Sequence, residues 1–182
     1  IFDRCKENLL PKSNVEWLCE PGVIYKLNQM LEQHGQFIAD GHHYYLPVEN
    51  TSLAKNYDCE VQWVEGDEIK QFENDDRFDE ALLFTDDVEN VLAVCAVKGG
   101  QILGMAGCTN DGQNVWQIGV NVTEEGQGKG IGTCVTWLIK NRVLEMEKVP
   151  YYGTVESHIK SQKVAIQAGF MPVFYEMFSD EI

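Results

Sequence analysis

The residues best suited to hold a ligand are four alternating glycines within seven positions: Gly126, Gly128, Gly130 and Gly132. Glycine lets a backbone approach a ligand without side-chain bulk. A helical pattern begins near Ile131, and the first turn of a helix presents free N–H groups and the positive end of the helix dipole. Such a corner suits a phosphate group. The sequence therefore predicts a phosphorylated ligand here, and the alternative is a purely structural strand-to-helix turn.

The elements around this corner predict a mixed α/β fold. Tight turns separate three strand-like runs at 91–97, 101–109 and 115–122, which indicates an antiparallel meander. The glycine corner and a helix to about Glu147 follow, then a strand over 151–156 that we expect to lie parallel to the third run. A helix ending at Gly169 and a last strand complete a domain over residues 58–182. Residues 1–57 are predicted to form an N-terminal extension.

Shorter elements are predicted before the meander. Within the extension, we expect a helix over 23–33 and a hairpin whose two-residue turn is Asp40-Gly41. His42-His43 is assigned to this hairpin and not to a metal site, because two adjacent histidines lack a spaced third ligand. A strand near 59–64 and helical pieces over 67–73 and 78–84 follow.

Charge is distributed unevenly along the chain. The formal net charge is −15, and residues 1–90 hold 20 of the 29 acidic residues but 7 of the 14 basic ones. Residues 65–89 alone hold 11 acids, with only Lys70 and Arg77 as bases. Such a field repels nucleic acid and anionic membranes and attracts a cation such as a protonated amine. The alternative is a solvated acidic face that serves solubility alone.

The six cysteines favour an intracellular protein. They include no C-x-x-C pair, and Cys95, Cys108 and Cys134 lie in apolar runs. Buried, reduced thiols in the cytoplasm explain this pattern better than disulfides. No apolar run approaches the ~18 residues that a membrane span needs.

Two motifs in this order resemble the GNAT superfamily of acyl-coenzyme A N-acyltransferases. The first is the phosphate motif of that family, which Gln127, Gly130 and Gly132 match. The second runs from His158 to Pro172 and is similar to the family's terminal helix, Gly-Phe pair and last strand. The resemblance implies a GNAT-like fold with a splayed parallel strand pair. P-loop and Rossmann motifs do not match, since Lys129 is followed by Gly130 and the corner follows a meander.

The resemblance implies acetyl-coenzyme A as co-substrate and needs no metal. Its pyrophosphate is expected on the N–H groups of the residues that open the helix, and its pantetheine arm along the third meander strand. His158 and Ser161 are further expected cofactor contacts, with capping of the helix as the alternative. The expected binding residues are therefore Val120, Val122, Gln127, Gly128, Lys129, Gly130, Ile131, Gly132, Thr133, His158 and Ser161.

The expected reaction is direct attack of a primary amine on the thioester. It needs a base, for which Glu156 is the first candidate, and an oxyanion donor, for which the family uses the backbone N–H at Val122. Asn121 is expected to hold a water or to orient the acceptor. Many members of the family carry a Tyr that acts as general acid for the leaving thiolate, and this chain has Ala165 at that position. Tyr175 is the candidate substitute, and a reaction without a dedicated acid is the alternative.

The sequence thus predicts a cytoplasmic N-acetyltransferase. Its acceptor would be a small-molecule amine or a basic peptide, without nucleic acid or membrane partners, and a homodimer is possible. The alternative is a coenzyme A-binding regulatory or sensor domain that no longer transfers acyl groups, which the missing Tyr at Ala165 supports.

Overall fold

The computed structural model describes residues 19–48, 52 and 57–182. In this part of the chain three α-helices and seven β-strands are present. The helices are α1 (Pro21–Leu31), α2 (Ile131–Glu145) and α3 (Ile159–Gln167). The strands are β1 (Gln36–Pro47), β2 (Glu60–Glu65), β3 (Asn90–Lys98), β4 (Gln101–Thr109), β5 (Val115–Val122), β6 (Val149–Val155) and β7 (Phe170–Glu181).

All seven strands belong to one mixed sheet with the order β2-β3-β4-β5-β6-β1-β7. Strands β2 to β5 are consecutive antiparallel neighbours. The tight turns predict this pairing for β3, β4 and β5, whereas β2 is far from β3 in the chain. Strand β6 follows helix α2 and pairs parallel with β5, as expected for a strand reached through a helical crossover. The predicted mixed α/β fold with a meander and one parallel pair is confirmed.

The middle of the sheet, formed by β3 and β4, is buried on both faces. On one face, α2 contributes Ile131, Val135, Ile139 and Val143, one residue per turn, to a core that includes Ile118 and Tyr152. On the other face, Phe72, Phe78 and Leu82 cover alternate residues of β3 and β4, namely Ala93, Cys95 and Met105. Burial on both faces explains why β3 and β4 are continuous apolar runs.

The described chain divides into two compact units. One contains the described part of Ile1–His42 together with Tyr175–Ile182, and the other is His43–Phe174. Strands β1 and β7 each contribute residues to both units. None of the helices in the described residues has the length and apolarity needed to cross a membrane.

The predicted hairpin at Asp40-Gly41 is wrong. Residues Gln36–Pro47 form one continuous strand, and Gly41 has no positive φ of the kind a two-residue hairpin turn needs. Its glycine serves close packing, because a Cβ at Gly41 would lie 1.8 Å from the hydroxyl oxygen of Tyr175. His42 lies within this strand and contacts the carboxylate of Asp40 at 2.9 Å.

The helices predicted over 67–73 and 78–84 are shorter and tighter than expected. Residues Gly66–Phe72 and Asp76–Phe78 form 3₁₀ turns, and the chain then continues without regular structure to β3. The N–H groups of Glu80 and Ala81 bond to the side chain of Asn121 instead of to a helix. A tertiary contact thus replaces the predicted local structure.

Candidate functional site

Residues Gly128–Gly132 form the turn into α2 and are called the nest below. Gly128 and Gly130 adopt φ values of 72° and 80°, a region that side-chain-bearing residues avoid. The first bond of α2 runs from the Cys134 N–H to the Gly130 carbonyl at 3.0 Å. The N–H groups of Ile131, Gly132 and Thr133 precede that bond and face outward from the helix end. This arrangement fits the phosphate groups of a nucleotide.

Two further glycines allow the corner to pack tightly against the sheet. A Cβ at Gly126 would lie 2.1 Å from the carbonyl oxygen of Leu103, and one at Gly132 would lie 3.1 Å from Val122. The other close neighbour of Gly132 is Val164 of α3, at 3.3 Å. The nest is therefore fixed to the end of β5, which is where a ligand bound at the nest would meet the sheet.

Tyr57 packs against the nest, a contact that the sequence did not indicate. Its ring carbon Cε1 lies 2.8 Å from the position a Cβ would take on Gly130. Nearby, the thiols of Cys59 and Cys134 interact, and burial, together with Cys59, raises the pKa of Cys134 to about 11. No local pattern around Tyr57 predicts this contact, because it depends on the path of the chain before β2.

Strands β5 and β6 separate next to the nest. Their parallel register runs from Val115–Val149 to Ile118–Tyr152 and ends there. On its other edge, β5 stays paired with β4 as far as Gly104–Val122. The edge of Gly119–Val122 that faces β6 is therefore available to an extended ligand. Val120 and Val122 point to the α2 face of the sheet, and Asn121 points to the opposite face.

The loop over 79–81 covers the sheet beside this opening. Asn121 Oδ1 accepts the N–H groups of Glu80 at 2.9 Å and Ala81 at 2.7 Å, and its Nδ2 donates to Asp79 at 3.0 Å. The loop lies directly on the sheet, since a Cβ at Gly119 would be 1.7 Å from the Glu80 carbonyl oxygen. Asn121 therefore positions an acidic loop at the opening.

Comparison with known proteins identifies the family. Residues 57–170 match the sequence model of the acetyltransferase (GNAT) family. The chain belongs to the GNAT family. Among curated proteins, none matches the sequence.

Solved GNAT structures share the fold at low sequence identity. A GCN5-related N-acetyltransferase from Kribbella flavida is similar with a TM-score of 0.60 and 16% identity, over 87% of this chain and 62% of that one. A GCN5-related N-acetyltransferase from Sphaerobacter thermophilus is similar with a TM-score of 0.59 and 14% identity, over 86% of this chain and 56% of that one. A putative GNAT acetyltransferase from Novosphingobium aromaticivorans is similar with a TM-score of 0.55 and 13% identity, over 80% of this chain and 66% of that one. The chain thus spans less than two thirds of the length of these proteins.

Ala165, which stands where many members of the family carry a Tyr as general acid, is buried in this chain. Ala165 is fully buried in the core shared with Tyr152. The Tyr152 hydroxyl lies 2.8 Å from Ser161 Oγ, one turn before Ala165 on α3. Burial raises the pKa of Tyr152 to about 12. The hydrogen bond with Ser161 acts in the opposite direction, and the negative charge of Glu80 adds to the increase.

The other expected residues lie at several places. Glu156 follows β6, and its carbonyl oxygen accepts a bond from Gln162 Nε2 at 2.6 Å. The His158 carbonyl accepts the Gln162 N–H at 3.1 Å, so His158 takes part in the start of α3. Thr133 Oγ1 donates to Gln167 at 3.3 Å and links α2 to α3. Gln127 and Lys129 are exposed in the nest loop.

Tyr175 belongs to the unit that contains Gly41, against which its hydroxyl packs. Its role as an acid stays a prediction, as do the roles of the other expected residues. Within the described residues, no group of three or more His, Cys, Asp or Glu side chains is arranged to hold a metal ion. Cys59, Cys95, Cys108 and Cys134 are free thiols, and Cys5 lies outside the described residues.

Proposed function

We propose that this protein is an N-acetyltransferase that transfers an acetyl group from acetyl-coenzyme A to a primary amine. The observation that carries the proposal is the nest at Gly128–Gly132, which lies directly beside the place where β5 and β6 separate. The nest fits a diphosphate, and the opening fits an extended arm that continues from it. Membership of the GNAT family supports the same conclusion.

In this proposal the chain binds the two substrates from opposite faces of the sheet. The N–H groups at the start of α2, with Lys129 and His158 nearby, hold the cofactor phosphates. The free edge of Val120–Val122 pairs with the pantetheine arm, and the N–H of Val122 stabilises negative charge on the carbonyl oxygen. The amine enters from the face that carries Asn121 and the loop over 79–81.

The chemistry requires a base near the opening. Bound acetyl-coenzyme A supplies a reactive thioester with a thiolate leaving group. An alkylammonium with a pKa near ~10.4 must first lose a proton, and a carboxylate acting directly or through water can remove it. We add Glu80 to Glu156 as a candidate base, because Asn121 fixes the backbone of Glu80 over Gly119.

The test is a glycine substitution in the nest. Gly130→Val introduces a β-branched residue at a φ of 80° and a contact with Tyr57, so coenzyme A binding should be lost while the protein stays folded. Calorimetry with coenzyme A measures the loss, and circular dichroism measures the fold. Gly112→Val is the matched control, since a Cβ at Gly112 has no neighbour within 4 Å. Unchanged affinity in Gly130→Val would contradict the proposal.

The second candidate is a coenzyme A-binding regulatory domain without transfer activity. The specific observation in its favour is the buried Ala165 at the position of the family's acidic Tyr. Release of free thiol from acetyl-coenzyme A with a panel of amines separates the two candidates. We propose that either protein acts in the cytoplasm, because Cys59, Cys95, Cys108 and Cys134 are free thiols.

A further inference from the structure

Two thiols meet at the start of α2, beside the nest. The side chains of Cys59 and Cys134 contact each other through a hydrogen bond between the thiols. Cys134 is also the residue whose backbone N–H bonds to the Gly130 carbonyl and so closes the first turn of α2. Cys59 directly precedes β2 and packs against the core that contains Ile131 and Val135 of α2. The thiol pair, Cys59 and Cys134, therefore connects two elements that are far apart in the chain.

The backbone around the thiol pair is held in place on both sides. Glu60 follows Cys59 and is the register partner of Val97 in the pairing of β2 with β3. Cys134 lies within a regular helix. A disulfide needs Cβ atoms about 3.5–4.5 Å apart and joins the sulfur atoms at about 2 Å. Thiols that already contact each other on two fixed elements can reach this geometry with a small movement of the chain.

The two thiols differ in their access to solvent. Cys134 is 4% exposed, and burial, followed by the neighbouring Cys59, raises the pKa of Cys134 to about 11. Cys59 is half-buried and thus within reach of a small oxidant. Thiol–disulfide exchange begins with attack by an accessible thiol in its thiolate form. Cys59 is therefore the thiol that reacts first, and Cys134 is the resolving thiol.

Tyr57 connects the thiol pair to the nest. Burial, then the charges of Cys134 and Cys59, raise the pKa of Tyr57, so its phenol lies near both thiols. On its other side, the ring approaches Gly130, where an added Cβ would be 2.8 Å from Cε1. Tyr57 is only two residues before Cys59. A movement of Cys59 toward α2 therefore moves Tyr57 against the glycine that gives the nest its shape.

We propose that Cys59 and Cys134 form a reversible disulfide that weakens binding of a diphosphate at the nest. This inference rests on the proposed function, because the diphosphate is that of acetyl-coenzyme A. Disulfides of cytoplasmic proteins are mostly transient and redox-sensing, and this pair has the partial exposure that such a role needs.

A low-molecular-weight disulfide such as glutathione disulfide is the oxidant. Cys59 loses its proton and attacks one sulfur of glutathione disulfide, and the displaced glutathione thiolate takes up that proton. Cys134 then attacks the Cys59 sulfur of the mixed disulfide, and the second glutathione leaves with the proton of Cys134. Two protein thiols are thus oxidised to one disulfide, while one glutathione disulfide is reduced to two thiols.

The experiment treats the full chain with glutathione disulfide and compares it with the reduced protein. Peptide mass analysis should find Cys59 joined to Cys134. Calorimetry with acetyl-coenzyme A, which has no free thiol to reduce the bond, should give an affinity about tenfold lower, and dithiothreitol should restore it. Hydrogen exchange at the Cys134 amide should slow, because the bond ties the first turn of α2 to the start of β2. This last readout needs no ligand.

Two serine variants separate the thiol pair from other effects of oxidation. Cys59→Ser should form no bond to Cys134 and should bind acetyl-coenzyme A equally well before and after the oxidant. Cys19→Ser makes the same substitution at another half-buried cysteine and should keep the full response. A loss of affinity in oxidised Cys59→Ser equal to that in the unaltered protein would contradict the assignment.

The outcomes also distinguish this inference from the proposed function. Failure of Cys59 and Cys134 to join, or equal affinity of the oxidised and reduced forms for acetyl-coenzyme A, overturns the disulfide as a regulator of the nest. Equal and tight binding by both forms keeps the proposed function. If the reduced protein does not bind acetyl-coenzyme A, the proposed function fails, and the peptide mass and the exchange at Cys134 still decide whether the thiol pair forms and affects the nest.

Discussion

At the scale of the residue, the glycines of the corner serve two different physical purposes. Gly128 and Gly130 supply backbone conformations with positive φ, whereas Gly126 and Gly132 make room for a carbonyl and for valine methyl groups. The sequence predicted the glycines and their place at a helix start. It did not separate the two purposes, because close approach depends on Leu103 and Val164, which are distant in the chain.

The choice between Glu80 and Glu156 is a residue-scale prediction. We expect Glu80→Gln to lower kcat/KM for the amine by about 100-fold or more, since loss of a positioned base typically costs that much. Glu156→Gln should have a smaller effect and serves as the matched control. Initial rates of thiol release measure both. If Glu156→Gln has the larger effect and Glu80→Gln is near normal, the sequence-based assignment of the base is correct and ours is not.

Tyr152 gives a prediction for stability against pH. At pH 7, Tyr152→Phe should lower the free energy of unfolding by about 1 kcal/mol through loss of the bond to Ser161. The folded-state pKa is about 12, above the ~10 of an unfolded tyrosine. Native stability from this group is thus complete below pH ~10 and falls as pH rises toward the folded value.

Tyr152→Phe has no phenol at this position and so does not lose stability in this way at alkaline pH. Its free energy of unfolding should approach that of the unaltered protein above pH ~10 and then exceed it. Urea unfolding at a series of pH values measures it. Ser161→Ala is the informative control, because it removes the same hydrogen bond but keeps the phenol of Tyr152 and so keeps the alkaline loss. A parallel pH dependence of Tyr152→Phe and the unaltered protein would contradict the assignment.

At the scale of the element, the strands were predictable and the pieces between β2 and β3 were not. Tight glycine turns define β3, β4 and β5, and a helix before β6 implies its parallel pairing. The Asp40-Gly41 turn failed because a local pattern cannot reveal that Gly41 packs against Tyr175. The prediction of a helix after Phe78 was wrong because Asn121, far along the chain, accepts the N–H groups of Glu80 and Ala81 that a helix would use.

The site was predictable to the same extent as these elements. The nest depends on consecutive residues, so the pattern Gln127 to Gly132 reveals it. The base, the acceptor surface and Tyr57 depend on which strands become neighbours. Glu80 was one of 11 acids in an acidic segment, and nothing in its local sequence distinguished it from the others.

Asn121 links the loop to the sheet, and its replacement tests that link. Asn121→Ala leaves the N–H groups of Glu80 and Ala81 without their acceptor, which should destabilise the protein by about 1–3 kcal/mol. Amide hydrogen exchange at Glu80 and Ala81 should accelerate more than exchange within β4. Asn121→Asp keeps an acceptor oxygen but places a carboxylate beside Asp79, so it should restore only part of the protection. Unchanged exchange in Asn121→Ala would mean that the loop is held by other contacts.

At the scale of the whole molecule, the charge of −15 predicts attraction of a cationic acceptor. The KM for a cationic amine acceptor should rise as salt increases, because the Debye length falls from about 10 Å at 0.1 M to about 3 Å at 1 M. Replacing Glu65, Glu68 and Asp76 by their amides should flatten this salt dependence. Initial rates over a salt series provide the measurement.

The control for the acidic segment is an equal change of charge elsewhere. Glu60, Glu145 and Glu147 lie outside residues 65–89, and their conversion to Gln should leave a steeper salt dependence than the first variant. If both triple variants behave alike, net charge alone matters and the segment has no special role. Homodimer formation, which the sequence allowed, stays a prediction.

The position of β1 in the sheet has a consequence for biosynthesis. This strand comes early in the chain but lies between β6 and β7, which come last. During translation, its hydrogen-bonding edges have no native neighbours until β6 and β7 have left the ribosome. Such nonlocal closure raises contact order and slows folding. We therefore expect nascent chains that stop before β6 to depend on chaperones, and a fragment that begins at residue 58 to aggregate.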